Sequence, residues 1–204
     1  MRVSILGSVA ALAIAACNGS QRVPDPRGDG PAVTDQVIAD LQFLREEEKL
    51  ARDVYTRLFD RWQLMPHQRI ASSEQIHMDH VLTTLQALDL TDPVRDDTVG
   101  AFVDPRLAGL FAELVATGER SELDSLQVGA TVEDLDLRDL DRMASHTTDP
   151  GILSTYAVLQ CGSRNHLRAF TSQLAMRGAS YAPQYIPQAT FDAVLAANHE
   201  QCGH

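Results

Sequence analysis

Four stretches of this chain repeat an apolar residue every three or four positions, and each sets an ionisable residue on that same stripe. The first passes through Leu41, Leu44, Glu48, Ala51, Tyr55, Leu58 and Trp62. The second passes through Ile70, Glu74, His77, Val81, Leu85 and Leu88, and the third through Leu126, Ala130, Glu133, Leu137 and Leu140. The fourth carries Ile152, Tyr156, Leu159, Ser163, His166, Phe170 and Leu174. This spacing marks one face of an α-helix, and the apolar face is the one a helix buries. The chain is therefore read as all-α, with four long helices whose buried faces must hold carboxylates and imidazoles.

End signals divide the helices. Thr34 is placed to cap the first, and Pro66 suits the first turn of the second. Asp104-Pro105 opens a short helix that Gly118 closes, and Ser121 with Asp124 resembles a capping box ahead of the third long helix. Asp149-Pro150 starts the fourth and Gly178 ends it; YAPQYIPQ then reads as extended, with a last short helix near residues 190–198. About thirty residues, rich in Asp, Pro and Gly and including the short helix, separate the second and third long helices. A four-helix bundle with one long crossover between helices 2 and 3 is the ferritin-like topology, and that is the expected fold.

The ends of the chain read differently. MRVSILGSVAALAIAAC has one Arg, an apolar run and then Cys17, the pattern of a secretory signal. Its end, Ile14-Ala15-Ala16-Cys17, resembles the lipobox of bacterial lipoproteins, which implies cleavage before Cys17 and lipid on its thiol. An ordinary signal peptide is the alternative. The expected organisation is a signal over 1–16, a flexible Pro- and Gly-rich tether over 17–33 and one domain over 34–204, in an exported, lipid-anchored protein of the bacterial cell envelope. Loss of residues 1–16 leaves 16 Lys and Arg against 28 Asp and Glu, a charge of −12, which argues against nucleic-acid binding. The two remaining cysteines, Cys161 and Cys202, are expected to pair outside the cytosol; a redox-active pair is the alternative, though no C-x-x-C occurs.

Glu48, Glu74, His77, Glu133, Asp136 and His166 thus meet one core level from four helices. A buried, unpaired carboxylate costs several kcal/mol or stays neutral through a raised pKa. Two divalent cations would balance Glu48, Glu74, Glu133 and Asp136, with the two imidazoles as nitrogen donors. An oxygen-rich set with one His per ion suits iron ahead of manganese, and either better than structural zinc.

EEKLARDVY from Glu47 to Tyr55 resembles the first-helix motif of rubrerythrin, with Glu48, Ala51 and Tyr55 at matching positions. Glu74-x-x-His77 is similar to its second-helix Glu-x-x-His, and Glu133-x-x-Asp136 to its third-helix Glu-x-x-Glu. From about Leu41 to Phe191 the chain more closely resembles an uncharacterised ferritin-like family, the domain of unknown function 2202, through REEEKLARDVY, SEQIHMDHV, VGATVEDLDLRDL and GSRNHLRAF. That resemblance implies a fold and a metal site, and no substrate. One position departs from the di-iron pattern: Ser163 stands where the fourth-helix Glu-x-x-His has its Glu.

Two functions follow as expectations. One is a dimetal-carboxylate oxidoreductase, di-iron or di-manganese, that reduces peroxide or oxidises ferrous iron; with only three cysteines it needs an external electron donor if it is a peroxidase. The other is a non-catalytic metal-binding or partner-docking bundle with an incomplete site. A purely structural bundle is the third case, and association into a homo-oligomer stays open. Outside the six ligands, Glu46, Glu47, Asp134, Asp139, Asp141, His67 and His80 are read as surface residues, His80 with a peripheral ligand role as the alternative. Arg164 and Arg168 are assigned to ion pairs, and Tyr55 and Tyr156 to core packing, a carboxylate contact or electron relay.

Overall fold

A computed structural model describes residues 33–203. The signal, the lipidation site Cys17 and nearly all of the tether lie outside the described residues. Among the described residues there are six helices and no strand: α1 (Asp35–Trp62), α2 (Met65–Ala87), α3 (Pro105–Gly118), α4 (Glu122–Ala144), α5 (Pro150–Met176) and α6 (Gln188–Ala196). The all-helical class is what the stripes require.

Local chemistry sets the ends. The Thr34 hydroxyl accepts from the Val37 amide at the start of α1, and Gln63, at φ 55°, turns the chain out of it. Ser121 accepts from Asp124 N before α4, and Asp149 accepts from Gly151 N and Ile152 N before α5. The last helix starts at Gln188, earlier than the sequence pattern suggests, because Pro187 precedes it and supplies the carbonyl that accepts from Phe191 N.

Two-residue and five-residue links make α1 pack along α2 and α4 along α5. Contacts of α2 with α5 and of α1 with α4 close the order α1, α2, α5, α4, and α3 lies against α1 and α4. The core splits into two apolar blocks. One holds Leu50, Tyr55, Leu58, Leu126, Phe170 and Leu174; the other holds Leu41, Leu44, Val81, Leu85, Leu140 and Tyr156. The ionisable layer lies between them along the sequence of α1, α2 and α5, and on α4 only Leu137 of the first block follows it.

The run REEEK corrects the surface expectation. Glu46 and Glu47 are both buried, Glu46 because the connection 88–104 lies over it and Glu47 because it faces Asp136 and Asp139 of α4. Glu46 accepts from the amides of Val103 (2.6 Å) and Asp104 (3.0 Å), Arg45 pairs with Asp92, and Arg52 reaches Asp97. Lys49, wholly buried, donates to Asp53 (2.5 Å) and to the Thr98 carbonyl (2.9 Å), and Asp53 also accepts from Gly100 N (2.9 Å). Asp134 is likewise buried: Tyr181 and the amides of Gln184, Tyr185 and Ile186 donate to it, which pins the extended segment after α5. Asp139 is covered by Arg138 and Arg142, and His67 is enclosed with Ser125 at 3.2 Å.

Removing one member of a buried ion pair leaves the other charge without compensation. Asp53→Ala is expected to destabilise the protein by about 3–5 kcal/mol in urea unfolding at neutral pH, since Lys49 keeps only a carbonyl and the Phe102 ring.

Candidate metal centre

Residues three apart on a helix share a face, and α2 uses this to bring Glu74 and His77 inward together. His77 Nδ1 lies 2.7 Å from Glu74 Oε2 and 3.2 Å from Glu48 Oε2 on α1. The other oxygen of Glu74 points the opposite way: Oε1 lies 2.9 Å from His166 Nδ1 on α5, which is itself 3.4 Å from Glu133 Oε2 on α4. Two groups result, Glu48–Glu74–His77 and Glu74–Glu133–His166, and within each the donor atoms all lie within 4.8 Å of one another. Glu74 belongs to both.

The rings are fixed from behind. They stack with centroids 5.5 Å apart, and His166 Nε2 lies 3.0 Å from the Ser73 hydroxyl. Gly162 leaves room for the other ring, for a Cβ there would stand 2.3 Å from His77 Nε2. Tyr55 donates to Glu133 Oε1 (2.5 Å) and holds that carboxylate in place. Tyr156, in the far apolar block, has no hydrogen-bond partner for its hydroxyl among the described residues.

Asp136 falls outside both groups. Its Oδ2 accepts from the Ser163 hydroxyl, while its Oδ1 is buried without a hydrogen-bond partner among the described residues. Glu47, expected at the surface, is 4% exposed, and neither of its oxygens has a hydrogen-bond partner among the described residues. Glu47, Glu48, Glu74, Glu133 and Asp136 together line a small cavity of about 10 Å³, room for about one water molecule. His80 is half-buried and belongs to neither group, and Asp141 is exposed. Arg164 and Arg168 both pair with Glu200.

The electrostatics follow from this crowding. Burial pushes Glu133 up to about 7, with the Glu74 charge adding to the effect. Burial likewise raises Glu48, Asp136 and, most through Asp139 among its neighbours, Glu47. Glu74 goes the other way: burial would raise it, but His166 and His77 outweigh burial and hold it well below the usual carboxylate range. Burial would lower His166, yet Glu74 and Glu133 bring it up to about 10.

The donor set fits divalent cations. Glu48 Oε1, Glu74 Oε1 and His166 Nδ1 are buried without a hydrogen bond among the described residues. Glu74 Oε1 and His166 Nδ1 are close enough to bond but lack the alignment for it. Atoms that share an ion at about 2.1 Å stand roughly 3 Å apart, the range of the contacts here.

Fold and site together define an all-helical protein with a buried carboxylate–imidazole cluster able to receive metal. Residues 38–198 match the uncharacterized protein domain DUF2202, and the chain belongs to that family. Uncharacterized protein MJ0754 of Methanocaldococcus jannaschii is 44% identical over 158 residues, 78% of this chain and 85% of the relative. The crystal structure of hypothetical protein MJ0754 from Methanococcus jannaschii is similar at a TM-score of 0.83 and 41% identity, over 84% of this chain and 98% of that one.

A pH dependence follows for metal-stripped protein. The folded state raises His166 from 6.5 to about 10, so its stabilisation is complete below pH 6.5 and lost as pH climbs through about 10. His77, also raised, acts in the same direction. Thermal unfolding followed by circular dichroism is expected to show a Tm that falls between pH 7 and 10, with a flatter slope for His166→Gln.

Proposed function

We propose that this protein is an exported, ferritin-like dimetal-carboxylate protein with redox activity, in which Glu74 would be a ligand common to both ion-binding groups. The carrying observation is the division of one carboxylate between two imidazoles, each with a further glutamate from another helix. The helix order with the 88–121 excursion between α2 and α4 supports the ferritin-like assignment.

Glu48 and His77 would hold one ion, Glu133 and His166 the other, with iron ahead of manganese. Once bound, such ions supply changes of oxidation state of the kind that reduces peroxide or oxidises ferrous iron. The chain's own residues orient and shield. Ser73 fixes the His166 ring, Tyr55 holds its proton on Glu133, and the two apolar blocks keep bulk water from the layer. As a peroxidase it would draw its electrons from an external donor. Cys17 provides the lipid anchor to the membrane, and the Cys161–Cys202 disulfide suits an oxidising compartment.

One observation favours the second function, a metal-binding or docking module without turnover. Ser163 fills the place of a ligand glutamate and engages one oxygen of Asp136.

Elemental analysis of the purified full-length protein is expected to find two divalent ions per chain. Glu48→Ala and Glu133→Ala should each lose about one, and Glu74→Ala both. Iron- or manganese-loaded protein should consume peroxide or ferrous ion faster than Glu74→Ala does. Bound ions with no such difference would favour the non-catalytic metal-binding module, and absence of bound metal would sink both metal-binding functions and leave only the docking bundle.

A further inference from the structure

The outer edges of both imidazoles face an open pocket of about 380 Å³, and its far wall is the C-terminal segment 199–202. Among the residues of the two ligand groups, His166 at 7% and His77 at 3% are nearest to water, against 2% for each glutamate. This pocket is where the centre comes closest to solvent along its histidine side.

The segment that walls it has no helix of its own beyond Ala196. It is fastened to a short stretch of α5, the stretch that carries His166. Cys202 is bonded to Cys161. The Glu200 carboxylate accepts from Arg164 Nε (2.9 Å) and from Arg168 (2.8 Å), and the Glu200 amide donates to Asn165 Oδ1 (2.9 Å). The two kinds of fastening differ physically. Arg164 and Glu200 are 30% and 31% exposed, so salt screens their attraction. The covalent bond is indifferent to salt and yields only to thiol chemistry.

We propose that segment 199–202 is a strap over the route by which divalent cations enter and leave, and that the Cys161–Cys202 disulfide is its latch. This rests on the metal-binding function proposed above. With the bond closed, ions exchange slowly with solvent; with it open, only the ion pairs and the hydrogen bonds with Asn165 hold the strap and exchange is fast. A dithiol opens the latch. It gives up two electrons and two protons, its own sulfurs become joined, and Cys161 and Cys202 become thiols.

The test uses full-length protein loaded with manganese(II), mixed with excess EDTA, with metal release followed in time. Helix content is read on the same samples by circular dichroism. Reduction by dithiothreitol, and Cys202→Ser as a second way of removing the bond, are each expected to speed release by roughly tenfold through local opening, with helix content and equilibrium metal content retained. Raising sodium chloride from about 0.05 to about 0.5 M should speed release further only where the bond is absent. Equal rates with and without the bond, at equal metal content, would overturn the latch. So would a faster release that coincides with loss of helix signal. Oxidised wild-type protein that takes up no manganese would instead overturn the metal-binding function beneath it.

Discussion

The arrangement depends on one electrostatic constraint: carboxylates from three helices are buried at a single level with only two imidazoles to face them. Charges removed from water need a partner, and mutual repulsion compounds the cost. Without metal, the balance comes from protons. The histidines are held charged, Glu74 is held ionised between them, and Glu133, Glu48, Asp136 and Glu47 are pushed toward their neutral forms. Cations would replace those protons with fixed charge. The apolar blocks on either side make the constraint tolerable, because they hold the four helices at both ends of a layer that repels itself.

A second polar system has a different task. The outward face of α1 is roofed by the 88–104 connection, and Glu46, Lys49 and Asp53 tie down backbone groups of that loop. A segment rich in Asp, Pro and Gly has little apolar surface to hold it. Hydrogen bonds to charged side chains, stronger than neutral ones, supply the attachment. Asp134 does the same for the segment after α5, where four donors converge on one carboxylate. Acidic residues in this chain thus serve two ends, backbone anchoring and the central cluster.

That division explains what could be read from the sequence. The four long helices and the inward direction of Glu48, Glu74, His77, Glu133 and His166 are local properties, fixed by spacing against Leu, Val and Ile neighbours. The burial of Glu46, Glu47, Asp134, Asp139 and His67 is not local. Glu46 is covered by residues almost sixty positions away and Asp134 by residues about fifty away. A run such as REEEK carries no mark of the loop that will lie over it. Ser73 gave no signal either, since a serine beside a glutamate is common and its contact with His166 spans 93 positions. Asp136 was legible as inward-facing, but its engagement with Ser163 depends on how α4 and α5 are set against each other.

The shared position of Glu74 has a thermodynamic consequence. A carboxylate is rigid and planar, so fixing one oxygen fixes the direction of the other. The first ion to settle beside His77 would freeze the Glu74 rotamer and present an oriented oxygen to the half containing His166. The ordering entropy is then spent once for two binding events. Ordering of that side chain would favour filling of both halves, whereas repulsion between two divalent charges a few ångströms apart would oppose it.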